Sequence, residues 1–281
     1  MTLAGKRVCV AFPDTVLEEQ DSVREKTSKL GRIARYCSLF GVDSIRVFHD
    51  PRGRGESSFI KKVLEYLETP QYLRRRLFPL SEDLRYAGLL PPLRIPSHKP
   101  KVPLADVKPG EFREGVVLAD GVSVDVGLDR PAILARKEPP QRRLTVRITS
   151  SSASRLDGLP VDPRETGAYW GYSVEASGAS ALLADSSFPL KLATSRHGEP
   201  IGRVARSLKI DLRRSQSVML LLGSPSRGLF EIIGKDLKSK VSYLVNLFPE
   251  QNVVTARSEE AMLSALYLVG LLASPDFPAF V

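Results

Sequence analysis

The stretch LLLGSPSRGLFEII, residues 220–233, combines a buried strand with a loop suited to hold a small molecule. Its apolar run ends at Gly223, where the missing side chain permits close approach of a ligand to the backbone. Ser224 can cap the following turn, with Pro225 at its first position. The pattern predicts a strand, a ligand-accessible loop and a helix, and an ordinary strand-to-helix turn is the alternative interpretation.

A second polar loop lies in NLFPEQNVVTARSEEAMLSAL, residues 246–266, between an apolar strand and an apolar helix. Pro249 interrupts regular structure after the strand. Ser258 is a suitable N-cap for a helix that begins at Glu259, where the helix dipole favours an acidic side chain. The helix has an apolar face that we expect to pack on the sheet. The residues expected on this face are Leu263, Leu266 and Val269 or Gly270.

Outward from these loops, strand and helix patterns alternate along the chain. KRVCVAF at residues 6–12 and VDSIRVFHD at residues 42–50 are typical of strands, and the segment between them has apolar residues at helical spacing. Another helix is predicted within SSFIKKVLEYLETP, and it ends before Pro70. This alternation predicts a parallel α/β sheet.

A different pattern interrupts the alternation in the middle of the chain. Six prolines fall between Pro91 and Pro109, where they disfavour regular helix. Short segments with period two follow, and the pair Asp120-Gly121 within VVLADGVSVDV predicts a two-residue hairpin turn. We therefore expect residues 92–165 to form a small inserted antiparallel β-barrel. The α/β domain then consists of residues 1–91 and 166–281.

The charge balance favours a polyanionic partner. Lys and Arg number 41 against 32 Asp and Glu, which gives a formal charge of +9. Such an excess is typical of proteins that bind nucleic acid, and a solvated charged surface is the alternative. Residues 92–165 contain 13 basic and 10 acidic residues, so most of the excess lies outside the predicted barrel.

Metal and dinucleotide sites are disfavoured. His49, His98 and His197 lie in separate segments without an accompanying cluster of Cys or carboxylates, so the sequence predicts no metal site. Gly53-x-Gly55 follows a strand as in a dinucleotide fingerprint, but the third glycine position is a serine and the strand is the second rather than the first. A basic loop is the better interpretation of this segment.

The start of the chain and its cysteines favour a cytoplasmic protein. There is no apolar run of 18 residues and no signal peptide pattern at the start. Cys9 and Cys37 fall in apolar strand-like and helix-like runs, which is typical of buried thiols in a reducing compartment, with a disulfide as the alternative.

With these residues identified, six segments in order along the chain resemble the SPOUT methyltransferases. The resemblance is to the archaeal and eukaryotic branch in which a β-barrel is inserted into the knotted domain. It implies a trefoil-knotted, Rossmann-like parallel sheet with an inserted OB-like barrel, and a binding site for S-adenosylmethionine. The segments are GRIARYCSLFGVDSIRVFHD, YLETPQYLRRRLFP, LRYAGLLPPLRIPSHK, YWGYSV, LLLGSPSRGLFE and VVTARSEEAMLSAL.

The resemblance assigns the cofactor to three loops. These are the loop after Thr194, the loop at Gly223 and the stretch from Asn246 to Ser258. Because members of the family hold the adenosine among backbone groups, the loops need no acid or metal signature. The cofactor contacts that the resemblance implies are Thr194, Gly223, Ser224, Asn246, Leu247, Phe248, Gln251, Val254, Thr255 and Ser258.

Basic residues are the expected contacts with RNA. The resemblance implies that the helix containing GRIARYC presents basic residues toward the active site, which makes Arg32 a candidate catalytic residue. Its charge can stabilise a deprotonated acceptor such as uridine N3. Phosphate binding or simple solvation are the alternatives for Arg32. The expected RNA contacts are Arg35, Arg74, Arg75, Arg76, Arg143, Arg147, Arg203 and Arg206.

The function implied is that of an S-adenosylmethionine-dependent RNA methyltransferase acting on a base of ribosomal RNA, with uridine N3 as a candidate acceptor. The alternatives are transfer RNA as substrate, a non-catalytic RNA-binding or assembly protein that retains the fold, and a nicotinamide-dependent oxidoreductase. The family also implies a homodimer, for which the C-terminal helix and the tail LLASPDFPAFV supply an apolar surface. Neither a metal nor a membrane is expected as a partner.

Overall fold

The computed structural model describes residues 5–152 and 154–274 of the chain. They form two compact units. The first unit comprises the described residues of the ranges Met1–Glu65, Glu82–Pro91 and Tyr172–Val281. The second unit comprises those of Tyr66–Ser81 and Pro92–Gly171. The second unit contains the predicted insertion and two flanking segments. The domain boundaries expected from the sequence stay a prediction.

Strands and helices alternate along most of the chain. Their order is β1 (Arg7–Pro13), α1 (Val23–Leu39), β2 (Ser44–Phe48), α2 (Ser57–Glu68), α3 (Gln71–Leu77), β3 (Phe112–Val117), β4 (Ser123–Asp125), β5 (Ala132–Leu134), β6 (Arg143–Ser151), β7 (Leu156–Val161), β8 (Ser173–Ser177), α4 (Ala179–Ala184), β9 (Leu190–Pro200), α5 (Ile201–Arg214), β10 (Ser217–Leu221), α6 (Leu229–Ile233), α7 (Leu237–Lys240), β11 (Tyr243–Asn246) and α8 (Ser258–Ala273). Short 3-10 helices lie at Glu82–Leu84, Ala87–Leu89, Leu104–Asp106 and Pro163–Thr166.

Six strands of the first unit form a parallel sheet in the order β11-β9-β10-β1-β2-β8. The central strands β1 and β10 are buried along nearly their whole length. Such continuous apolar strands are typical of a parallel sheet that is covered on both faces. Because all six strands run in one direction, their carboxyl ends meet at one edge, where ligands of open α/β sheets bind.

Strand β9 is longer than expected. It continues to Pro200, beyond the predicted end at Thr194. Its pairing with β11 shifts register between Leu244 and Val245. The segment after Thr194 was predicted to be a loop, and it is instead an irregular extension of the strand.

Helix α1 follows the predicted pattern. Ser22 Oγ accepts a hydrogen bond from the Glu25 N–H, and the Glu25 carboxylate accepts one from the Ser22 N–H, which forms a capping box. Leu30, Ile33 and Cys37 are fully buried on one face of this helix. The helical spacing read from the sequence therefore identifies the buried face.

Helix α8 packs mainly against α1 and α5 rather than on the sheet, which corrects the expected position of its apolar face. Met262, Leu266 and Val269 are buried, whereas Leu263 is half-buried. The Sδ atom of Met262 lies 3.9 Å from the Sγ atom of Cys37 on α1. Since α8 is apolar around most of its circumference, two helices cover more of it than one sheet face would.

The second unit contains a closed five-stranded barrel in the order β3-β4-β5-β7-β6. Val117, Val124 and Val146 lie in its apolar core. One of its pairs, β5 with β7, is parallel, so the barrel is not wholly antiparallel as expected. A five-residue connection, residues 118–122, joins β3 to β4, and the prediction of a two-residue turn was wrong. The predicted fold class, a parallel α/β sheet with an inserted barrel, is confirmed.

Both cysteines are free and buried, as expected. Burial raises the pKa of the Cys9 thiol to about 11, so the thiolate that reacts with electrophiles is scarce at neutral pH. In the described part of the chain, no helix combines the length and the apolar character needed to cross a membrane.

Candidate active site

Three chain segments at the carboxyl edge of the sheet line one cavity. They are the end of β9, the loop after β10 and the loop between β11 and α8. The cavity has a volume of about 190 Å³, which exceeds several times the roughly 30 Å³ that one water occupies in the liquid. All ten residues expected to contact the cofactor line it, namely Thr194, Gly223, Ser224, Asn246, Leu247, Phe248, Gln251, Val254, Thr255 and Ser258.

Gly223 has little room for a side chain. A Cβ atom there would lie 3.0 Å from the carbonyl oxygen of Arg227 and 3.2 Å from both Gly228 Cα and Leu229 N. These are backbone atoms, so a side chain at this position would require the backbone of the loop to shift by a few tenths of an ångström. The glycine therefore permits the loop after β10 to fold back on the strand end while Gly223 itself borders the cavity.

Two serine hydroxyls fix this loop. Ser224 Oγ accepts a hydrogen bond from the Arg227 N–H at 3.0 Å, which closes the loop, but Pro225 does not begin a helix as expected, because α6 begins at Leu229 with Gly228 at its N-cap. Ser258 does not cap α8, because Arg257 occupies the N-cap position and Ser258 is the first helical residue. Its hydroxyl instead donates to the carbonyl oxygen of Gly223 at 3.1 Å. One hydroxyl thus joins two of the three cavity walls.

Side-chain amides shape the loop between β11 and α8. Asn246 Nδ2 donates to the Arg196 carbonyl oxygen at 3.1 Å, and Gln251 Nε2 donates to the Val253 carbonyl oxygen at 2.9 Å. Within the described residues, the main-chain N–H groups of Val254 and Thr255 donate to no other residue. The loop is therefore held by its own side chains while backbone donors remain available to a ligand.

Arg32 does not line the cavity. Its guanidinium lies 3.1 Å from the carboxylate of Glu259 at the start of α8, and 43% of its side chain is exposed. Glu259 also pairs with the fully buried Lys29 at 3.2 Å. Burial alone would raise the pKa of Glu259, but its own N–H and the nearby cations outweigh burial and lower it. Glu259 directly follows the cavity residue Ser258.

The expected RNA contacts of the first unit lie at its surface. Arg203 and Arg206 are exposed on α5, and Arg35 is exposed on α1. Helix α5 follows directly after the irregular end of β9 in the chain. Arg203 is therefore in the first turn of α5, six residues after the cavity residue His197.

The arginines of the second unit that are expected to contact RNA differ in how far their side chains are already engaged within the protein. Arg74 on α3 donates to the carbonyl oxygens of Thr69 and Leu67, so its hydrogen bonds join α3 to the carboxyl end of α2. Arg76 pairs with an aspartate at 3.2 Å, whereas Arg75 is exposed. Arg147 is half-buried on the same face of β6 as Arg143.

Arg143 belongs to a buried ion cluster. Its guanidinium lies 2.6 Å from Glu68 and 2.7 Å from Glu114. Burial alone would lower the pKa of Arg143, but these two carboxylates outweigh it and raise the pKa. Glu114 also accepts a hydrogen bond from the Trp170 indole N–H at 2.5 Å. The cluster ties parts of the second unit together, and this use of Arg143 competes with any RNA contact.

Sequence reasoning missed a polar network at the same edge of the sheet. Asp14 follows β1 and accepts from the side chains of His49 and Ser57, while Asp50 follows β2 and pairs with Arg227. The available signal was an aspartate within two residues of the end of each of two neighbouring strands. In the described part of the chain, no group of three or more His, Cys, Asp or Glu side chains is arranged to hold a metal ion.

Comparison with known proteins places the chain among methyltransferases. A family model described as "Putative RNA methyltransferase" matches residues 7–269. An uncharacterized protein of Halobacterium salinarum is 32% identical over 92% of this chain and 96% of its own length. The 28S rRNA (uridine-N(3))-methyltransferase of Homo sapiens is 32% identical over 92% of this chain and 76% of its own length, and the mouse protein of the same description is 31% identical.

A solved structure was also found, that of the SpoU methyltransferase AviRb from Streptomyces viridochromogenes in complex with the cofactor AdoMet. The match has a TM-score of 0.41 and 11% identity, and it covers 94% of this chain and 57% of that one. A likeness this remote adds nothing to the assignment, which the family model and the relatives carry. The chain belongs to the RNA methyltransferase family whose model spans residues 7–269.

Proposed function

We propose that the chain is an S-adenosylmethionine-dependent RNA methyltransferase whose cofactor occupies the cavity at the carboxyl edge of the sheet. The observation that carries the proposal is the convergence of three segments on one cavity with Gly223 at its wall. S-adenosylmethionine supplies a methyl group on sulfonium, which is an activated electrophile. The chain must then hold the acceptor in line with that methyl group and needs no covalent nucleophile.

The cavity lining is compatible with this ligand. Leu222, Leu247 and Phe248 provide apolar surface for an adenine ring, and the backbone donors of Val254 and Thr255 can bond to its edge. The amides of the nearby side chains already hold the loop, so they act by positioning its backbone.

We further propose ribosomal RNA as the substrate and uridine N3 as the acceptor. The support is that the human and mouse relatives are described as 28S rRNA (uridine-N(3))-methyltransferases. A uridine N3 carries a proton that must leave before or during methyl transfer, so a base or a stabilising charge is required. Exposed Arg203 and Arg206 on α5 would contact phosphates of the RNA.

Arg32 remains our candidate for electrostatic stabilisation, with an added requirement. Its charge is partly balanced by Glu259 at 3.1 Å, so it can act on a substrate only if it shares or leaves that carboxylate. Glu259 would then act as a positioning residue for Arg32. The alternative role for Arg32 is to help hold α1 against α8.

We also propose a homodimer in the cytoplasm. The outer face of α8 exposes 60% of Tyr267 and leaves Leu268 half-buried, which supports an apolar contact with a second copy. The rest of the predicted surface, residues 275–281, lies outside the described residues. Two buried free thiols, Cys9 and Cys37, support a reducing compartment.

Calorimetric titration with S-adenosylmethionine, in the presence and absence of ribosomal RNA, tests the cofactor. We expect saturable binding to one site per chain. Nucleoside mass spectrometry of ribosomal and transfer RNA from cells that lack the protein then tests the substrate. Loss of 3-methyluridine from ribosomal RNA is the expected result.

The alternatives give different outcomes. No binding of S-adenosylmethionine under either condition would refute the enzyme assignment. Binding without a missing methylated nucleoside in any RNA would favour a non-catalytic RNA-binding or assembly protein. A missing nucleoside in transfer RNA alone would move the substrate to that class.

A further inference from the structure

Asp14 and His49 form a pair at the carboxyl ends of the neighbouring strands β1 and β2. The Asp14 side chain is fully buried, and its Oδ2 atom lies 2.9 Å from His49 Nδ1. The same carboxylate also accepts from Ser57 Oγ at 3.1 Å and from the Asp50 N–H at 3.0 Å. The carboxylate therefore has two other donors, and its burial does not depend on the imidazole.

The His49 imidazole is held on one side and open on the other. Its side chain is 60% exposed, although its Nδ1 atom is anchored on a buried carboxylate. A neutral imidazole that donates its Nδ1 proton to a carboxylate presents a basic Nε2 atom to solvent. An anchored ring with a free basic nitrogen is the arrangement that general-base catalysis requires.

Arg227 connects this pair to the cofactor cavity. Its Nε atom lies 2.9 Å from the buried carboxylate of Asp50, the residue that follows His49, and its Nη2 atom lies 2.5 Å from Glu18. The residues on both sides of Arg227, Ser226 and Gly228, line the cavity. Gly53, in the loop after β2, packs directly against Thr15. Only glycine permits this contact, because a Cβ atom there would lie 1.8 Å from Thr15 Cγ2.

The sheet order fixes the separation of the two sites. Strand β2 lies two positions from β10, and adjacent strands are about 4.8 Å apart, so the strand ends are separated by about 10 Å. A nucleobase placed between the loop after β10 and the end of β2 would bridge that gap. In that position the nucleobase would lie between the cavity and the imidazole.

We propose that His49 is the general base of the methyl transfer and that Asp14 is its positioning residue. The proposal rests on the function proposed above. His49 Nε2 takes the proton from N3 of the uridine, and the N3 electron pair forms the new bond to the methyl carbon. The bond between that carbon and sulfur breaks, its electron pair stays on sulfur, and the imidazolium later releases its proton to water.

Chemical rescue tests the base directly. His49→Ala should bind S-adenosylmethionine and ribosomal RNA as wild type does, and its methyl transfer to ribosomal RNA from cells lacking the protein should fall roughly 10²–10⁴-fold. Added imidazole should restore part of this rate, because the exposed position is accessible from solvent. A transcript with 5-fluorouridine, whose N3 proton is more acidic, should be methylated by the variant with a smaller loss.

Ser57→Ala is the matched control, because it removes another donor to the same Asp14 oxygen without removing a base. Imidazole should not change the rate of this variant or of wild type. If His49→Ala retains the wild-type rate, or if imidazole does not accelerate it, the base assignment is wrong while the methyltransferase function stands. If wild type itself neither binds the cofactor nor transfers a methyl group, both proposals fail.

A second measurement is independent of turnover. Diethylpyrocarbonate modifies exposed imidazoles, and mass spectrometry reports its reaction with each of the three histidines. RNA should protect His49, and S-adenosylhomocysteine should protect His197, which lines the cavity. His98, whose Nε2 atom lies 2.7 Å from the Glu68 carbonyl oxygen, is the internal reference. Undiminished reaction at His49 when RNA is bound would contradict its place at the acceptor.

Discussion

At the scale of single residues, Gly223 is the restricted position at the wall of the cavity. Any side chain meets the backbone of residues 227–229 at 3.0–3.2 Å. Gly223→Val should therefore displace the loop and weaken S-adenosylmethionine binding at least tenfold, about 1.4 kcal/mol. The fold and the affinity for RNA should remain, because neither depends on this cavity wall.

Calorimetric titration measures this effect, and Gly88→Ala is its control, since a Cβ atom at Gly88 meets no atom within 4 Å. Cofactor affinity that is unchanged in Gly223→Val would show that the ligand lies elsewhere.

Also at the scale of single residues, His98 makes the free energy of unfolding depend on pH. Burial lowers the pKa of His98 from 6.5, so the folded protein favours the neutral ring. A histidine with a lowered pKa contributes stability above pH 6.5, and this contribution is lost as the pH falls through the folded-state value. The urea midpoint of wild type should therefore fall below pH 6.5, and His98→Gln should show a smaller fall. Identical pH dependence of both proteins would contradict this account.

At the scale of elements, the packing of α1 on α8 depends on a buried ion pair. Lys29 is fully buried and lies 3.2 Å from Glu259 and 3.6 Å from Glu19. Glu259→Gln leaves the ammonium with the more distant partner alone, and we expect a loss of about 3 kcal/mol in the free energy of unfolding. Adding Lys29→Met should restore most of it, because the uncompensated charge is removed.

Urea denaturation of both variants checks this coupling. Glu82→Gln is the control, since its partner Arg85 is 3.9 Å away and both are exposed; its effect should stay below about 0.5 kcal/mol. If the double variant is no more stable than Glu259→Gln, the ion pair does not explain the packing.

At the scale of the whole molecule, the expected RNA contacts separate into two groups. Arg203→Gln and Arg206→Gln should each weaken RNA binding and reduce the salt dependence of the binding constant by about one unit of slope. Each change removes one proposed phosphate contact from an exposed face. Arg143→Gln should instead lower the stability of the second unit, because Glu68 and Glu114 lose their shared cation.

Filter binding over a range of salt concentrations measures the slopes. Arg164→Gln is the matched control, because Asp162 already balances that exposed guanidinium. Slopes that do not change in either α5 variant would remove this helix from the RNA-binding surface.

The resemblance to a known family, rather than any pattern of neighbouring residues, assigned the three segments to the cofactor cavity. The sequence by itself determined the alternation of strands and helices, the inserted barrel and the close approach at Gly223. It could do so because periodicity, turn residues and the need for glycine at a close approach are properties of neighbouring residues. Only the tertiary structure decided that α8 packs on α1 and α5, that Arg143 is held by two carboxylates, and that Asp14 orients His49. These partners lie far apart in the chain, and the order of strands in the sheet brings them together.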